Sequence, residues 1–321
     1  LMDGRERVYY SIGNHPEFDQ QMLAWLKTIR SQARAGAQPP TELAMLDPLL
    51  HEARLHKSPA EIATMQQAAD ISCRAHIRAM QAAKQGLFEY HLEAELDYEF
   101  RKGGARLPAY SSIVASGKNA CILHYTENNA PLHNGDLVLI DAGCEIDCYA
   151  SDITRTFPVS GHFSPEQKAI YNIVLQANLE ALNYISPKHC WNDAHDATVR
   201  VITAGLLELG LLQGELEELI ATDAYRPFYM HRAGHWLGLD VHDVGEYKIN
   251  GTWRKLAVGM TMTVEPGIYI AVDNLTVPEQ WRGIGVRIED DVVVTENGCR
   301  VLTNAVPKTI DEIEALMAAA Q

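Results

Sequence analysis

Four carboxylates stand inside stretches that otherwise read as buried β-strand, and this pattern constrains the chain more than any other feature of its sequence. Leu137-Val138-Leu139-Ile140 runs straight into Asp141, then Ala142-Gly143. Asp152 follows in Tyr149-Ala150-Ser151-Asp152-Ile153-Thr154-Arg155, Glu265 in Met262-Thr263-Val264-Glu265-Pro266-Gly267, and Glu289 in Gly285-Val286-Arg287-Ile288-Glu289-Asp290. Ionised carboxylates are almost never buried without partners, so a fold that buries these segments must offer the acids something cationic. Antiparallel pairing of the Asp141 and Asp152 segments brings two of them to one place. Buried arginines are one answer, and Arg155 and Arg287 are at hand. For all four acids that answer weakens, because too few basic residues lie in comparable apolar strands. Two divalent cations neutralise four carboxylates, with His235 as a fifth, neutral ligand.

The remaining pattern is helical and occurs twice. Ser58-Pro59-Ala60-Glu61 reads as a capping box with proline in the first turn, followed by Ile62, Met65, Ala69, Cys73, Ile77 and Met80 at helical spacing. A second helix, Glu89–Lys102, carries Leu92, Leu96 and Phe100, and β-rich segments follow at 111–115, 136–142 and 149–159. A second capping box, Ser164-Pro165-Glu166-Gln167, then opens a helix through Ile170, Val174, Ala177 and Leu182. After it come a helix over 192–209 and strands over 261–269 and 285–295. His124 and His235 fall at similar distances after the two caps. The expected architecture is α+β, with two helix-helix-sheet halves and sites between them. Residues 1–54 offer one strand (8–12), one amphipathic helix (16–34) and the linker-like Gly36-Ala37-Gln38-Pro39-Pro40, too little to bury a core. They read as the C-terminal part of a truncated N-terminal α/β domain plus linker, and 55–321 as the catalytic domain.

Composition narrows the partners. Lys and Arg total 27 against 42 for Asp and Glu, and a formal charge of −15 opposes nucleic-acid backbones and anionic membranes. No apolar run approaches the roughly 20 residues of a membrane helix, and the start of the chain has neither a basic nor an apolar signal region. A soluble, cytoplasmic protein is expected, with neither nucleic acid nor membrane as partner. The scattered cysteines form no C-x-x-C pair and read as free thiols.

His231-Arg232-Ala233-Gly234-His235-Trp236-Leu237-Gly238-Leu239-Asp240-Val241-His242-Asp243 is the densest histidine cluster. Arg232 stands where a zincin's glutamate belongs, so a single-zinc H-E-x-x-H protease is excluded. Together with Asp141 in I-D-A-G, Asp152 in S-D-I-T-R, Glu265 in T-V-E-P-G-I-Y and Glu289 in G-V-R-I-E-D, this run resembles the pita-bread metallopeptidases. The likeness covers about residue 55 to the C-terminus in the family's order, and is nearest to the aminopeptidase P branch.

That resemblance implies a pita-bread fold and an Xaa-Pro aminopeptidase, a hydrolase cutting between an N-terminal residue and a following proline. It makes Asp152 and Glu289 bridging ligands, with Asp141 on one metal and His235 and Glu265 on the other. The cofactor implied is a pair of divalent ions, Mn²⁺ foremost, with Co²⁺ and Zn²⁺ as alternatives. Glu265 is expected to relay a proton, with His242 stabilising the oxyanion and His124 holding the peptide. His231, Tyr269 and Arg287 match positions lining the pocket for proline and the residues after it. Arg232 departs from the family, where glycine commonly follows the first histidine. Peptides with proline second are the expected partners, and a homodimer or homotetramer the expected assembly. Prolidase, acting on Xaa-Pro dipeptides, shares the ligands and differs in pocket closure behind proline. Methionine aminopeptidase fits the His231–Asp243 run less well. A binding module that has lost catalysis, or metal-free creatinase-like chemistry, sits poorly with five intact ligand positions.

Overall fold

In a computed structural model, which describes residues 1–320, Leu1–Arg54 and Leu55–Gln321 form separate units. The first unit is a β-α-β element. Strand β1 (Arg7–Tyr9) leads through helix α1 (Pro16–Ser31) to strand β2 (Glu42–Ala44), which pairs parallel to β1 with Arg7 opposite Glu42. The helix ends earlier than its sequence suggests, giving way to a 3-10 turn at Ala33–Ala35. β2 has no counterpart in the sequence reading, because three residues are too few to show an alternation. Helix α2 (Asp47–Leu55) leads into the second unit.

Both capping boxes form as their sequences require. Glu61 N–H donates to Ser58 Oγ at 3.3 Å while the Glu61 carboxylate accepts from Ser58 N–H at 2.7 Å, and Ser164 and Gln167 repeat the exchange. Helix α3 (Pro59–Ala82) packs on α4 (Glu89–Lys102), and the antiparallel sheet β3-β4-β7 follows: Ile113–Ser116, Leu137–Asp141 and Thr154–Pro158. The hairpin β5–β6 (Glu145–Ile146 and Tyr149–Ala150) interrupts the path from β4 to β7. The second half repeats the order with α5 (Pro165–Asn183), α6 (Trp191–Glu208) and a short α7 (Leu216–Ala221). Hairpin β8–β9 (Lys248–Ile249 and Thr252–Trp253) precedes β10 (Thr261–Val264), β11 (Gly267–Tyr269), β12 (Gly285–Arg287), β13 (Asp290–Val294) and β14 (Cys299–Val301), before the last helix α8 (Ile310–Ala318). The main core draws on both halves: Leu92, Leu96 and Phe100 of α4 share it with Ile170 and Val174 of α5 and Val138 and Ile140 of β4. Each such buried side chain contributes about 1.5–3 kcal/mol.

The segments expected as continuous strands are broken where the acids stand. Asp152 lies between β6 and β7, Glu265 between β10 and β11, and Glu289 between β12 and β13. Register explains the last two breaks. β10 pairs with β13 (Val264 opposite Asp290) and β11 with β12 (Gly267 opposite Arg287), so one antiparallel ribbon is bent across both strands at Glu265-Pro266 and Ile288-Glu289. Proline cannot donate to a ladder, and its place in the ribbon is the bend itself.

Candidate metal centre

A cleft of about 1020 Å³ opens in the second unit, and Asp141, Asp152, Glu265, Glu289, His231, His235, His242, His124 and Arg287 all reach its walls. Two close approaches of backbone assemble these walls. A Cβ on Gly143 would stand 1.8 Å from Ser151 O, and one on Gly234 would stand 2.1 Å from Thr263 O. Glycine thus lets the turn after Asp141 lie against the segment that carries Asp152, and lets the loop before His235 lie on β10, the strand just before Glu265.

Asp152, His235 and Glu289 offer one donor atom each within 4.8 Å of one another. His235 Nε2 is 3.3 Å from Asp152 Oδ2 and 3.6 Å from Glu265 Oε1. Its Nδ1 donates to Trp236 O at 2.9 Å, which leaves Nε2 facing the acids and, once deprotonated, free to ligate. Thr154 Oγ1 donates to Glu289 Oε2 at 2.6 Å, and Thr263 Oγ1 to Glu265 Oε1 at 3.3 Å. Tyr110 donates its hydroxyl to Asp141 Oδ1 at 2.7 Å and also contacts Asp152 Oδ1.

Arginine satisfies only one of these acids. Arg287 Nη2 donates to Asp141 Oδ2 at 2.6 Å, whereas Arg155 is spent on Asp290, Nη2 to Oδ1 at 2.8 Å, away from the four. The electrostatics show the deficit. Burial pushes the Glu265 carboxyl up to about 7, against the pull of His235 and Arg287. Burial and the neighbouring carboxylates Asp152, Glu265 and Asp141 hold Glu289 well above the ordinary range. Burial raises Asp141 too, Arg287 only partly offsetting it. His235 is pulled down by burial but raised more by Asp152 and Glu265, to about 9. Asp291 adds a fifth buried acid: its Oδ2 accepts Asp152 N–H at 2.9 Å, while its Oδ1 has no hydrogen-bond partner among the described residues. This concentration of oxygen donors around one correctly oriented imidazole fits a hard divalent cation.

The histidines divide by role. His231 Nδ1 donates to Arg232 O at 2.8 Å, and its Nε2 accepts from Tyr269 Oη at 2.8 Å. Tyr269 in turn accepts from Arg287 Nη1 at 3.0 Å. Burial and the nearby Arg287 lower His231 to about 3, so it stays neutral. Tyr269, expected on the pocket wall, is only 1% exposed and absent from the lining residues; it stands behind the wall, coupling His231 to Arg287. His242 packs edge-on against His235 with ring centroids 4.4 Å apart, and His124 faces the cleft from the loop after β3.

Sequence reasoning missed Tyr110 and Asp291. Nothing in Pro108-Ala109-Tyr110-Ser111 marks the tyrosine, whose role arises from where the loop passes. Asp291 did leave a signal, as a third consecutive acid entering the apolar run Val292-Val293-Val294.

A sequence model of metallopeptidase family M24 matches residues 63–296. This chain belongs to metallopeptidase family M24. The M24 chain is 50% identical to the Xaa-Pro aminopeptidase of Escherichia coli over 321 residues, all of this chain and 72% of that protein. With the Xaa-Pro aminopeptidase of Haemophilus influenzae it shares 56% identity over 297 residues, 92% of this chain and 68% of that protein. The solved structure of Pseudomonas aeruginosa aminopeptidase PepP matches it with a TM-score of 0.97 at 69% identity, covering 99% of this chain and 72% of that one. The M24 fold is the pita-bread fold that the motif resemblance implied, in keeping with the two α+β halves, and that resemblance is real homology.

Proposed function

We infer that this M24 peptidase is an Xaa-Pro aminopeptidase, hydrolysing the bond between an N-terminal residue and a following proline. The observation that carries the reading is the likeness to two Xaa-Pro aminopeptidases along the whole catalytic unit, joined to a cleft that gathers the five expected ligand residues. Asp152, His235 and Glu289 would hold one part of the metal site, with Asp141 and Glu265 flanking them and completing a pair of ions. A set of four carboxylates and one imidazole suits Mn²⁺, with Co²⁺ and Zn²⁺ as alternatives. When bound, the metal supplies Lewis acidity, lowering the pKa of the attacking water and polarising the scissile carbonyl.

The chain's own residues do the rest. Glu265, which faces the cleft, can accept a proton from the water and return it to the leaving amine. His242 and His124, both exposed to the cleft, donate to the developing oxyanion and to the peptide. The acid cluster attracts the substrate's free amine, which accounts for cleavage at the N-terminus. The chain Arg287–Tyr269–His231 fixes the neutral His231 ring as a wall against which a proline ring packs. Proline has no N–H and a fixed φ, so such a wall selects it by shape. Among the described residues no helix is long and apolar enough to cross a membrane. The free thiols suit a reducing cytoplasm, and the family resemblance is the ground for proposing a homo-oligomer.

Exhaustive chelation should abolish turnover and Mn²⁺ or Co²⁺ should restore it. With Mn²⁺ present, Xaa-Pro-Xaa tripeptides should be cleaved faster than the matched Xaa-Pro dipeptides. Undiminished activity in verified metal-free protein would sink the reading, and a clear preference for dipeptides would make the enzyme a prolidase.

A further inference from the structure

The cleft has a second chemical character that metal binding does not use. Besides Arg287, which is committed to Asp141, its walls carry two cations, Arg232 and Lys248. Among the described residues neither has a carboxylate partner. Both lie over the same ring: Arg232 Cζ is 5.1 Å and Lys248 Nζ 4.1 Å from the centroid of Trp253.

Both cations are exposed, and a hairpin and a side-chain tether hold them in place. Lys248 and Trp253 are a cross-strand pair of the β8–β9 hairpin, closed by Asn250-Gly251 with φ of 50° and 80°, the left-handed pair that a two-residue type I′ turn requires. Arg232 is tethered by donating to Asn192 Oδ1, and Asn192 is itself turned by donating Nδ2 to Asp196 Oδ1 at 2.7 Å. A guanidinium has five donors, and this tether leaves most of them free. Arg232 is also bonded through its carbonyl to His231, so the cations adjoin the wall assigned to proline and the residues after it. A cation there repels the substrate's ammonium group, which the acid cluster attracts, and so belongs to the leaving-group side.

We propose that Arg232 and Lys248, braced on Trp253, form a carboxylate-binding subsite for the part of the substrate beyond proline. This deepens, and rests on, the Xaa-Pro reading. The carboxylate comes either from the C-terminus of a short peptide or from an acidic side chain just after proline.

The test compares Ala-Pro-Ala with its C-terminal amide, and Ala-Pro-Glu-amide with Ala-Pro-Gln-amide, on Mn²⁺-loaded wild type and on the double variant Arg232→Gln, Lys248→Gln. In wild type at least one pair should favour the carboxylate by about tenfold in kcat/KM, chiefly through KM, as charge-assisted contacts from two exposed cations allow. The double variant should bring that ratio below about twofold, with amide turnover reporting that it is folded and active. Preference in the first pair alone identifies the C-terminal carboxylate, and in the second alone the side chain. Ratios below about twofold in both wild-type pairs, or a preference that survives the double substitution, overturn the subsite while leaving the Xaa-Pro reading intact. Failure of wild type to cleave any of the four peptides overturns both.

Discussion

Loading a divalent metal into metal-free protein should expel protons in a number that falls as pH rises. Glu265, at about 7, and His235, at about 9, must both lose their protons to act as ligands. The pair holds about 1.9 protons at pH 6 and about 1.0 at pH 8, by simple titration at those values. Glu289 and Asp141, both raised by burial, add to the count. Titration calorimetry of Mn²⁺ into verified metal-free protein, repeated in buffers of different ionisation enthalpy, reads the number directly. The same shifts bear on stability. Glu265's raised pKa favours the fold fully below its ordinary value of 4.5, a contribution lost as pH climbs through 7; that of His235 is full below 6.5 and lost through 9. Metal-free protein should therefore be less stable at pH 8 than at pH 6, by at most about 3 kcal/mol, and bound metal should remove most of that slope. Asp152, whose carboxyl is lowered, contributes a loss only under more acidic conditions. Release of less than about half a proton at pH 6, or equal release at both pH values, would refute the assignment of Glu265 and His235 as ligands with raised pKa values.

Glu289→Gln keeps the side-chain volume but removes a charge from the acid cluster; elemental analysis should find at least one metal lost, with turnover down about a hundredfold or more and circular dichroism unchanged. Arg287→Lys should keep the metal and impair substrate handling, since lysine cannot reproduce the planar fork that grips Asp141 and Tyr269. Gly143→Ala should cost about 3 kcal/mol in chemical denaturation, because its Cβ would collide with Ser151 O, whereas Gly298→Ala, which meets nothing within 4 Å, should change stability by no more than about 0.5 kcal/mol.

Much of this protein is legible in its sequence. The capping boxes at Ser58 and Ser164 set the starts of both long helices to the residue, because helix starts are written in local hydrogen-bond chemistry. The four acids announce a cationic partner, because an apolar run makes burial predictable and burial makes an unpaired charge untenable. Tertiary structure alone decided three things. It broke the strands at Asp152, Glu265 and Glu289, since a bend in a paired ribbon depends on its partner's register. It sent Arg155 to Asp290 and Arg287 to Asp141, a choice between two buried arginines that local sequence leaves open. And it delivered Tyr110 to two acids far along the chain while setting Arg232 and Lys248 on one tryptophan ring, because such meetings are made by the packing of halves and hairpins rather than by neighbours in sequence.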